Sequence, residues 1–324
     1  MALRVVHSPE EWAAAFASTG RRAVLTIGNF DGLHLGHRQI LKNVIERARA
    51  LRAVATAISF DPHPLKVVRP SDAPPQIQTL AQRLAGFDEM GLDAAVVIRF
   101  DLALSRRSPE DFIRWAAVEN LRAREIHVGD NFRFGHQQAG DVAHLEELGR
   151  QYGFAVQAVP PVVERGEVVS SSAIRSWLQK GDVGRASRLL GRPFTLTGEI
   201  IPGTGTGRRL LFPTLNLAPE QELLPADGVY ATETLLDARI HRSATNVGLR
   251  PTFDGTQLTV ETHLLDFSGN PESGRMEIHF WQHLRPEQKF SSPDDLRAQI
   301  QRDLDATRTF FHRLDISHRP KPAL

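Results

Sequence analysis

The sequence predicts two successive domains, a doubly wound α/β domain with a parallel sheet over residues 1–187 and a β-barrel over residues 188–324. In the first half, short apolar runs alternate with helical patterns, which is typical of parallel sheets whose strands are joined by helices. In the second half, short strand patterns follow one another between turn signals, which indicates a six-stranded antiparallel barrel. One amphipathic helix ends the chain. A length of 324 residues allows each domain its own core.

The elements follow a regular order in each half. The strand patterns of the first half are residues 23–28, 53–60, 94–100, 125–129 and 154–162, and its helical patterns are residues 35–52, 79–90, 109–121 and 142–152. The strand patterns of the second half are residues 194–201, 214–218, 228–240, 242–249, 259–267 and 276–284, and the final helix begins at Pro293. Because parallel sheets bind ligands beyond the carboxyl ends of their strands, we expect the first site at that edge.

The most informative stretch follows the first of these strands and reads GNFDGLHLGHR over Gly28–Arg38. Glycine, asparagine and aspartate make a turn, and His34 and His37 stand at the start of the helical pattern. Residues three apart share one face of a helix, and the free N–H groups and positive dipole at a helix start attract anions. The histidines could be two solvated side chains on an ordinary turn, but the turn that precedes them favours a nucleotide phosphate site.

Three further polar clusters occur in the first half. Asp61-Pro62-His63-Pro64 follows the second strand, and its prolines alone could make a rigid loop. GDNFRFG, residues 129–135, follows the fourth strand, where Asn131 could bind the edge of a base or flavin ring and Phe132 could stack or join the core. Ser170–Ser172 open a predicted helix over 173–180 with Arg175 one turn inside, which suggests a second phosphate cradle beyond ordinary capping.

The second half has a glycine-rich loop followed by FPTLN. The loop, residues 202–211, contains residues whose N–H groups or charge could bind phosphates, namely Gly203, Gly205, Gly207 and Arg208. Thr214 then offers a hydroxyl for Mg²⁺, and Asn216 offers an amide for a phosphate or the metal. In TVETHLL, Glu261 alternates with its neighbours, and we expect it to point into the barrel, where a carboxylate is costly unless it has a task.

Composition excludes several classes of function. The chain contains no cysteine, which excludes disulfides, thiolate catalysis and cysteine-ligated zinc and suits a reducing cytoplasm. A net charge of +1 recruits neither nucleic acid nor an acidic membrane. The first residues contain no long apolar run, so we expect neither a signal peptide nor a membrane span. We therefore expect a cytoplasmic protein whose partners are small molecules.

The motifs of the first half resemble a known family. GNFDGLHLGH is similar to the signature of HxGH nucleotidyltransferases, and with FDPHP, VGDNFRFG and SSSAIR it looks like the adenylyltransferase half of the prokaryotic bifunctional riboflavin kinase/FAD synthetases. The resemblance implies that His34 and His37 are catalytic and steady the phosphates of ATP during attack on its α-phosphorus. It implies that ATP or its phosphates bind Gly28, Asn29, Phe30, Asp31, His34, His37, Ser171, Ser172 and Arg175. It implies that flavin binds His63, Asp130, Asn131 and Phe132.

The second half resembles the riboflavin kinase of the same family. The matching stretches are Gly203–Asn216, Gly228–Ala231, Asn246–Phe253 and Val260–Phe267, with Leu211 where the family has glycine. The resemblance implies that Glu261 is the catalytic base and that Thr214 and Asn216 hold Mg²⁺. It implies that ATP or flavin binds Gly203, Gly205, Gly207, Arg208, Thr214, Asn216 and Arg297.

These motifs together predict an enzyme that phosphorylates riboflavin with ATP to give FMN and then joins FMN to AMP from a second ATP. The expected cofactor is Mg²⁺, and the sequence leaves the oligomeric state open. One alternative is an enzyme of the same superfamily with another acceptor, such as a nicotinamide or pantetheine phosphate, but such enzymes need no kinase-like barrel. Another is a flavin carrier, which needs neither the base Glu261 nor the metal ligands Thr214 and Asn216.

Overall fold

The protein divides into two compact units, Met1–Ser170 and Ser171–Leu324. A computed structural model describes residues 2–202, 212–252, 255–269, 271 and 273–318. The predicted domain boundary after residue 187 remains a prediction. Over the described residues, no helix combines the length and the apolar character needed to span a membrane.

The first unit is built on a sheet of six parallel strands. In chain order these are β1 (Arg4–Val6), β2 (Ala23–Ile27), β3 (Val54–Asp61), β4 (Ala94–Arg99), β5 (Glu125–Gly129) and β6 (Ala155–Val159). They are arranged across the sheet in the order β1-β4-β3-β2-β5-β6. The chain builds outward from β2 in one direction through β3 and β4, and then in the other through β5 and β6. The carboxyl ends of β2 and β5 therefore form the switch point at which such sheets bind ligands.

Helices cover both faces of this sheet. The α-helices are α1 (Pro9–Phe16), α2 (Leu35–Leu51), α3 (Pro64–Val68), α4 (Leu80–Met90), α5 (Leu102–Ser105), α6 (Pro109–Ile113) and α7 (Val142–Tyr152), and a short hairpin, β7 (Val163–Glu164) with β8 (Glu167–Val168), follows β6. The helix predicted over 109–121 is α-helical only to Ile113 and continues as a π-helix to Asn120. The sequence patterns did not predict β1, α1 or the hairpin.

Two apolar cores fix the helices on either side of β2. One core joins Leu25 and Ile27 to Trp12, and the other joins Val24 to Leu41 and residues of α4. All five residues of β2 are buried. The prediction of a doubly wound parallel sheet is confirmed.

Over its described residues, the second unit contains a closed barrel of six antiparallel strands and three helices. The strands are β9 (Phe194–Ile201), β10 (Leu215–Pro219), β11 (Gly228–Leu236), β12 (Arg239–Thr252), β13 (Gly255–Leu264) and β14 (Arg275–Arg285), in the closed order β10-β13-β12-β11-β14-β9. The helices are α8 (Ser171–Gln179), α9 (Val183–Leu190) and α10 (Pro293–His318). The barrel and the final helix are confirmed. The single strand predicted over 228–240 is wrong, because Asp237 and Ala238 take positive φ angles of 48° and 60° and make a hairpin turn.

Hydroxyl side chains fill part of the barrel interior. Five fully buried residues form one hydrogen-bonded network: Thr232, Thr234, Ser243, Thr245 and Thr262. Successive residues of a strand point to opposite faces, so Glu261, which precedes Thr262, points out of the barrel. The predicted inward direction of Glu261 is therefore wrong, and the candidate site of this unit lies on the outer surface of the barrel.

The helix α9 is part of the packing of the second unit. It contacts β9 and β14, and it buries Val183, Leu189 and Leu190. Asp182 caps its start by accepting a hydrogen bond from the Arg185 N–H at 2.9 Å. Burying a valine or leucine side chain contributes about 1.5–3 kcal/mol, so α9 contributes substantially to the stability of this unit.

We expect a fragment from Ser171 to Leu324 to unfold at a higher temperature than one from Arg192 to Leu324. The shorter fragment lacks α8 and α9, and it exposes the apolar surface of β9 and β14 that α9 covers. Thermal unfolding followed by circular dichroism compares the two. Equal midpoints would show that α9 is dispensable for the stability of the barrel.

Candidate active sites

The turn after β2 has an unusual backbone that burial maintains. Phe30 and Leu33 have φ angles of 52° and 43°, a region that costs energy for residues other than glycine. Their side chains are only 2% and 1% exposed, so apolar burial offsets the strain. The Phe30 ring packs edge-on against Phe87, and a Cβ atom at Gly28 would lie 3.2 Å from that ring. The sequence GNFDG therefore encodes one fixed turn at the switch point of the sheet.

Asp31 holds this turn in place through hydrogen bonds. Its Oδ1 accepts hydrogen bonds from the N–H groups of Ile77 at 3.0 Å and Gln78 at 3.3 Å. The Gln78 side-chain amide donates in return to the Phe30 carbonyl at 3.2 Å. Asp31 is only 3% exposed. The structure thus shows Asp31 as a support of the turn, and its role in binding ATP remains a prediction.

The two predicted histidines lie together at the start of α2. His34 is the N-cap residue, and its Nδ1 accepts a hydrogen bond from the His37 N–H at 3.3 Å. The rings are stacked, with centroids 3.6 Å apart and planes inclined by 15°. Because Nδ1 of His34 accepts, the proton of its neutral ring is on Nε2. A Cβ atom at Gly36 would lie 3.2 Å from the His34 ring, so a side chain at position 36 would require this ring to shift.

His37 is held in its neutral form. Burial, together with the nearby His34 and Arg83, holds its pKa well below the usual value for histidine. Its Nδ1 atom is buried and has no hydrogen-bond partner among the residues that the structure describes. His37 therefore offers a hydrogen-bonding imidazole rather than a fixed charge to a ligand at the helix start.

Sequence reasoning missed a buried arginine beneath the turn. Arg83 donates from Nη1 to Ser59 Oγ at 2.8 Å and to the Phe60 carbonyl at 3.1 Å, and Ser59 Oγ donates to the Asn29 carbonyl at 3.4 Å. Arg83 is only 2% exposed. A sequence signal did exist, because Arg83 falls on the apolar stripe of α4, three residues after Leu80.

His63 joins the turn from the end of β3. It is 8% exposed, and its Nδ1 accepts a hydrogen bond from the Leu65 N–H at 3.2 Å. Its Nε2 therefore carries the proton and lies 3.2 Å from the side-chain amide of Asn29. Because this N–H can only donate, the side-chain oxygen of Asn29 accepts its hydrogen bond. The structure thus brings together two residues that the sequence assigned to ATP and to flavin.

The predicted flavin residues after β5 lie at the same edge of the sheet. Asp130 and Asn131 are exposed, whereas Phe132 is partly buried and stacks on Phe134 with centroids 5.3 Å apart. Since β5 neighbours β2, the polar residues that follow the two strands line adjacent positions. Ser171, Ser172 and Arg175 lie at the start of α8, within the second unit. Their place in a phosphate cradle remains a prediction.

In the second unit, the predicted kinase residues form a row across three strands. Glu261 on β13 is directly opposite Asn216 on β10, and on its other side it is directly opposite Asn246 on β12. Opposed residues share one face of a sheet, so the carboxylate lies between two amides on the outer surface. All three residues are partly buried. Asn246 had no predicted role, although it lies in the stretch Asn246–Phe253 that resembles the kinase.

Of the remaining kinase candidates, the structure describes Thr214 and Arg297. Thr214 is half-buried and lies one residue before β10. Arg297 is exposed on α10, whose Leu304 packs against Ala244 and Leu265 on the outside of the barrel. The predicted residues Gly203, Gly205, Gly207 and Arg208 lie outside the described residues, as does Leu211.

Comparison with known proteins assigns each unit to a family. Residues 17–173 match the family model for FAD synthetase, and residues 190–311 match the model for riboflavin kinase. The chain is 36% identical over 289 residues to the bifunctional riboflavin kinase/FMN adenylyltransferase of Escherichia coli strain K12, an alignment that covers 89% of this chain and 92% of that protein. The chain belongs to this family.

Other relatives agree with this membership. The proteins of the same description from Haemophilus influenzae and Pseudomonas fluorescens are 33% and 36% identical, covering 89% of this chain and 94% and 93% of theirs. A solved structure titled macrolide-efflux protein from Streptococcus pneumoniae superposes with a TM-score of 0.84 at 24% identity, over 95% of this chain and 99% of that one. That likeness shows a shared fold alone. The histidine pair therefore lies in the FAD synthetase part of the family, and the Asn216–Glu261–Asn246 row lies in its riboflavin kinase part.

We expect Gly36→Ala to lower the rate of FAD formation from FMN and ATP severalfold. The added Cβ atom would lie 3.2 Å from the His34 ring, so the ring has to move by a few tenths of an ångström relative to its hydrogen bond and its stacking partner. A misplacement of about 1 Å can cost a catalytic site on the order of 10²-fold, and this smaller shift costs correspondingly less. Phosphorylation of riboflavin should not change. Both rates are measured by chromatographic separation of the flavins.

The matched control for this substitution is Gly184→Ala. Gly184 is also the second residue of its helix, but a Cβ atom there would lie no closer than 3.6 Å to any neighbour. We expect this variant to keep both activities. A Gly36→Ala enzyme as active as this control would mean that the placement of the His34 ring does not matter for catalysis.

Proposed function

We propose that this protein phosphorylates riboflavin with ATP to give FMN and then transfers the adenylyl group of a second ATP to FMN, releasing pyrophosphate and forming FAD. The observation that carries the proposal is the membership of the chain in the bifunctional family, together with one candidate site in each unit. We assign adenylyl transfer to residues 1–187 and the kinase step to residues 188–324. The two family matches, which end at residue 173 and begin at residue 190, support this division.

In the adenylyl-transfer site, the stacked imidazoles and the start of α2 face the polyphosphate of ATP. Charge builds on the oxygens of the α-phosphate as the FMN phosphate attacks and pyrophosphate leaves. His34 donates from Nε2, and burial keeps His37 neutral, so both rings can hydrogen-bond phosphate oxygens. Bound phosphate charge favours protonation of the rings, which further stabilises the leaving pyrophosphate.

In the kinase site, Glu261 accepts the proton of the ribityl hydroxyl as that oxygen attacks the γ-phosphate. The outward position of Glu261, whose side chain is partly exposed, gives its carboxylate access to a substrate. Asn216 and Asn246, directly opposite Glu261 on either side, can orient the hydroxyl and the phosphates. General base catalysis of this kind contributes about 10²–10⁴-fold in rate.

The donor set of this site suits Mg²⁺. The hydroxyl of Thr214 and the amide oxygen of Asn216 are hard oxygen ligands, and Mg²⁺ is usually held by a few such ligands together with substrate phosphates. When bound, Mg²⁺ would neutralise charge on the β- and γ-phosphates. We place the protein in the cytoplasm, because it lacks cysteine and its substrates include ATP.

The direct test incubates the purified protein with riboflavin, ATP and Mg²⁺ and separates the flavins by chromatography. We expect FMN to appear first and FAD to follow, with both steps abolished by EDTA and restored by excess Mg²⁺. A protein that only carries flavin would bind riboflavin and form neither product. An enzyme for another acceptor would also form neither FMN nor FAD, and it would release pyrophosphate from ATP only when that acceptor, such as a nicotinamide or pantetheine phosphate, is added.

Two variants separate the two steps. We expect Glu261→Gln to lower riboflavin phosphorylation by about 10²–10⁴-fold, because it keeps the shape of the side chain and removes the base. FAD formation from supplied FMN should be unchanged. We expect the double variant His34→Ala/His37→Ala to show the reverse pattern, with a loss of about 10²–10³-fold or more for each hydrogen-bond donor removed.

Each of these variants is the folding control for the other. Normal kinase turnover in Glu261→Gln would remove this residue from the mechanism, and near-normal FAD formation in the double variant would make the histidines structural. Loss of both activities in one variant would indicate misfolding. Titration with riboflavin, followed by flavin fluorescence, checks that Glu261→Gln still binds its substrate.

A further inference from the structure

Arg83 is a charged side chain in a place where the fold needs only an apolar one. It lies on α4 with 2% exposure, in the stripe that otherwise packs through Leu84 and Phe87. Its Nη1 atom donates to two neutral acceptors, Ser59 Oγ and the Phe60 carbonyl. Its Nε atom is buried and has no hydrogen-bond partner among the described residues.

Such a position is costly for a guanidinium group. Burial lowers the pKa of Arg83, and the charges of Asp31 and Asp61 raise it in the opposite direction. Arginine nevertheless stays protonated in proteins, so the positive charge remains inside the unit. Burying a charge that is not fully paired and hydrogen-bonded opposes folding, and a leucine or methionine would fill the space without this cost. The retained charge therefore indicates a task other than stability.

Two links connect Arg83 to the adenylyl-transfer site. The first link is a chain of two hydrogen bonds. Arg83 Nη1 donates to Ser59 Oγ at 2.8 Å, and Ser59 Oγ donates to the Asn29 carbonyl at 3.4 Å. The guanidinium therefore anchors the turn that leads to the histidines. The second is electrostatic, since the charge of Arg83 acts on both His37 and Asp31. Neither link requires contact between Arg83 and a substrate.

We propose that Arg83 is a positioning residue for adenylyl transfer: it ties the Asn29–Asp31 turn to β3 and places a permanent positive charge beneath the histidine pair, which the polyphosphate of ATP compensates. The proposal rests on the proposed function of this unit. Arg83, which lies outside the GNFDGLHLGH motif, thus helps to fix the shape of the turn and adds positive charge that attracts the phosphates of ATP.

The charge of Arg83 also has a measurable effect on His37. Among the described residues, the titratable groups that act on His37 are His34 from its own helix and Arg83 from α4, while Phe30 covers it with an apolar ring. Asp31 and Asp61 face Arg83 and oppose part of its effect. Both burial and the positive charge disfavour the imidazolium form. Removing the charge of Arg83 should therefore raise the pKa of His37.

The test compares Arg83→Gln and Arg83→Lys with the wild-type enzyme. Glutamine can keep a hydrogen bond to Ser59 but has no charge, whereas lysine keeps the charge. We expect Arg83→Gln to lower kcat for FAD formation by about tenfold or more with KM for FMN changed only a few-fold, because the residue acts on the transition-state charge and not on substrate contact. We expect Arg83→Lys to recover most of kcat.

The second readout is the titration of the histidine rings, followed by NMR in the protein without ATP. We expect the His37 resonance to titrate at a higher pH in Arg83→Gln than in the wild type, and the lysine variant to titrate as the wild type does. The matched control is Arg114→Gln, which removes the same charge from an exposed ion pair with Asp111 in the same unit. This control should change neither kcat nor the titration, and riboflavin phosphorylation should stay constant in every variant.

The outcomes decide between electrostatic positioning and packing. Wild-type kcat and an unchanged His37 titration in Arg83→Gln would overturn the proposal, as would equal losses in the glutamine and lysine variants with unchanged titrations. If Arg83→Gln loses the fold of the first unit, Arg83→Lys decides: activity within a few-fold of wild type supports the proposal, and a tenfold loss in a folded protein contradicts it. A wild-type protein that makes no FAD would contradict the proposed function instead, and the His37 titration would still report the effect of the charge.

Discussion

The burial of β2 on both faces is the constraint on which the first unit depends. Parallel neighbours occupy both edges of this strand, and apolar cores cover both faces, so polar groups can gather only beyond its carboxyl end. The turn there adopts positive φ angles at two bulky residues, and it keeps them because Phe30 and Leu33 are themselves core side chains. The histidine pair is thus fixed by the same apolar packing that stabilises the sheet. This coupling explains how the two imidazoles are held in one stacked arrangement.

In the barrel, apolar and hydroxyl side chains occupy the interior, so the candidate site lies on the outer surface. Buried hydroxyl side chains fill part of the barrel interior and form a hydrogen-bonded network across three strands. The candidate kinase residues lie instead on the outer surface, where Glu261 is directly opposite one asparagine on each side. The Glu261 side chain is partly exposed there, whereas the same carboxylate inside the barrel would carry the full cost of a buried charge.

Sequence patterns predicted the parts of the fold that depend on local periodicity. The bounds of α7 were predicted to the residue, and the helix predicted over 79–90 begins one residue later, at Leu80, after its N-cap residue Thr79. The failures share a cause. The hairpin at Asp237–Ala238 has no glycine, so its turn carries no strong sequence signal, and the π-helix after Ile113 depends on packing that no local pattern encodes. The predicted alternation of side chains along β13 is correct, but Glu261 points out of the barrel and not into it, because alternation alone does not say which face of a strand is inside.

By itself, the sequence determined the order of the two folds and the turn with its histidine pair. These features are local, since each depends on residues within a few positions of one another. The tertiary structure alone decided that Asn246 stands beside Glu261, that His63 meets Asn29, and that Arg83 lies beneath the turn. Each of these pairs is separated by 15 or more positions in the chain. Their contacts follow from strand register and helix packing, which bring distant residues together through the burial of apolar surface and not through any pattern in the polar residues themselves.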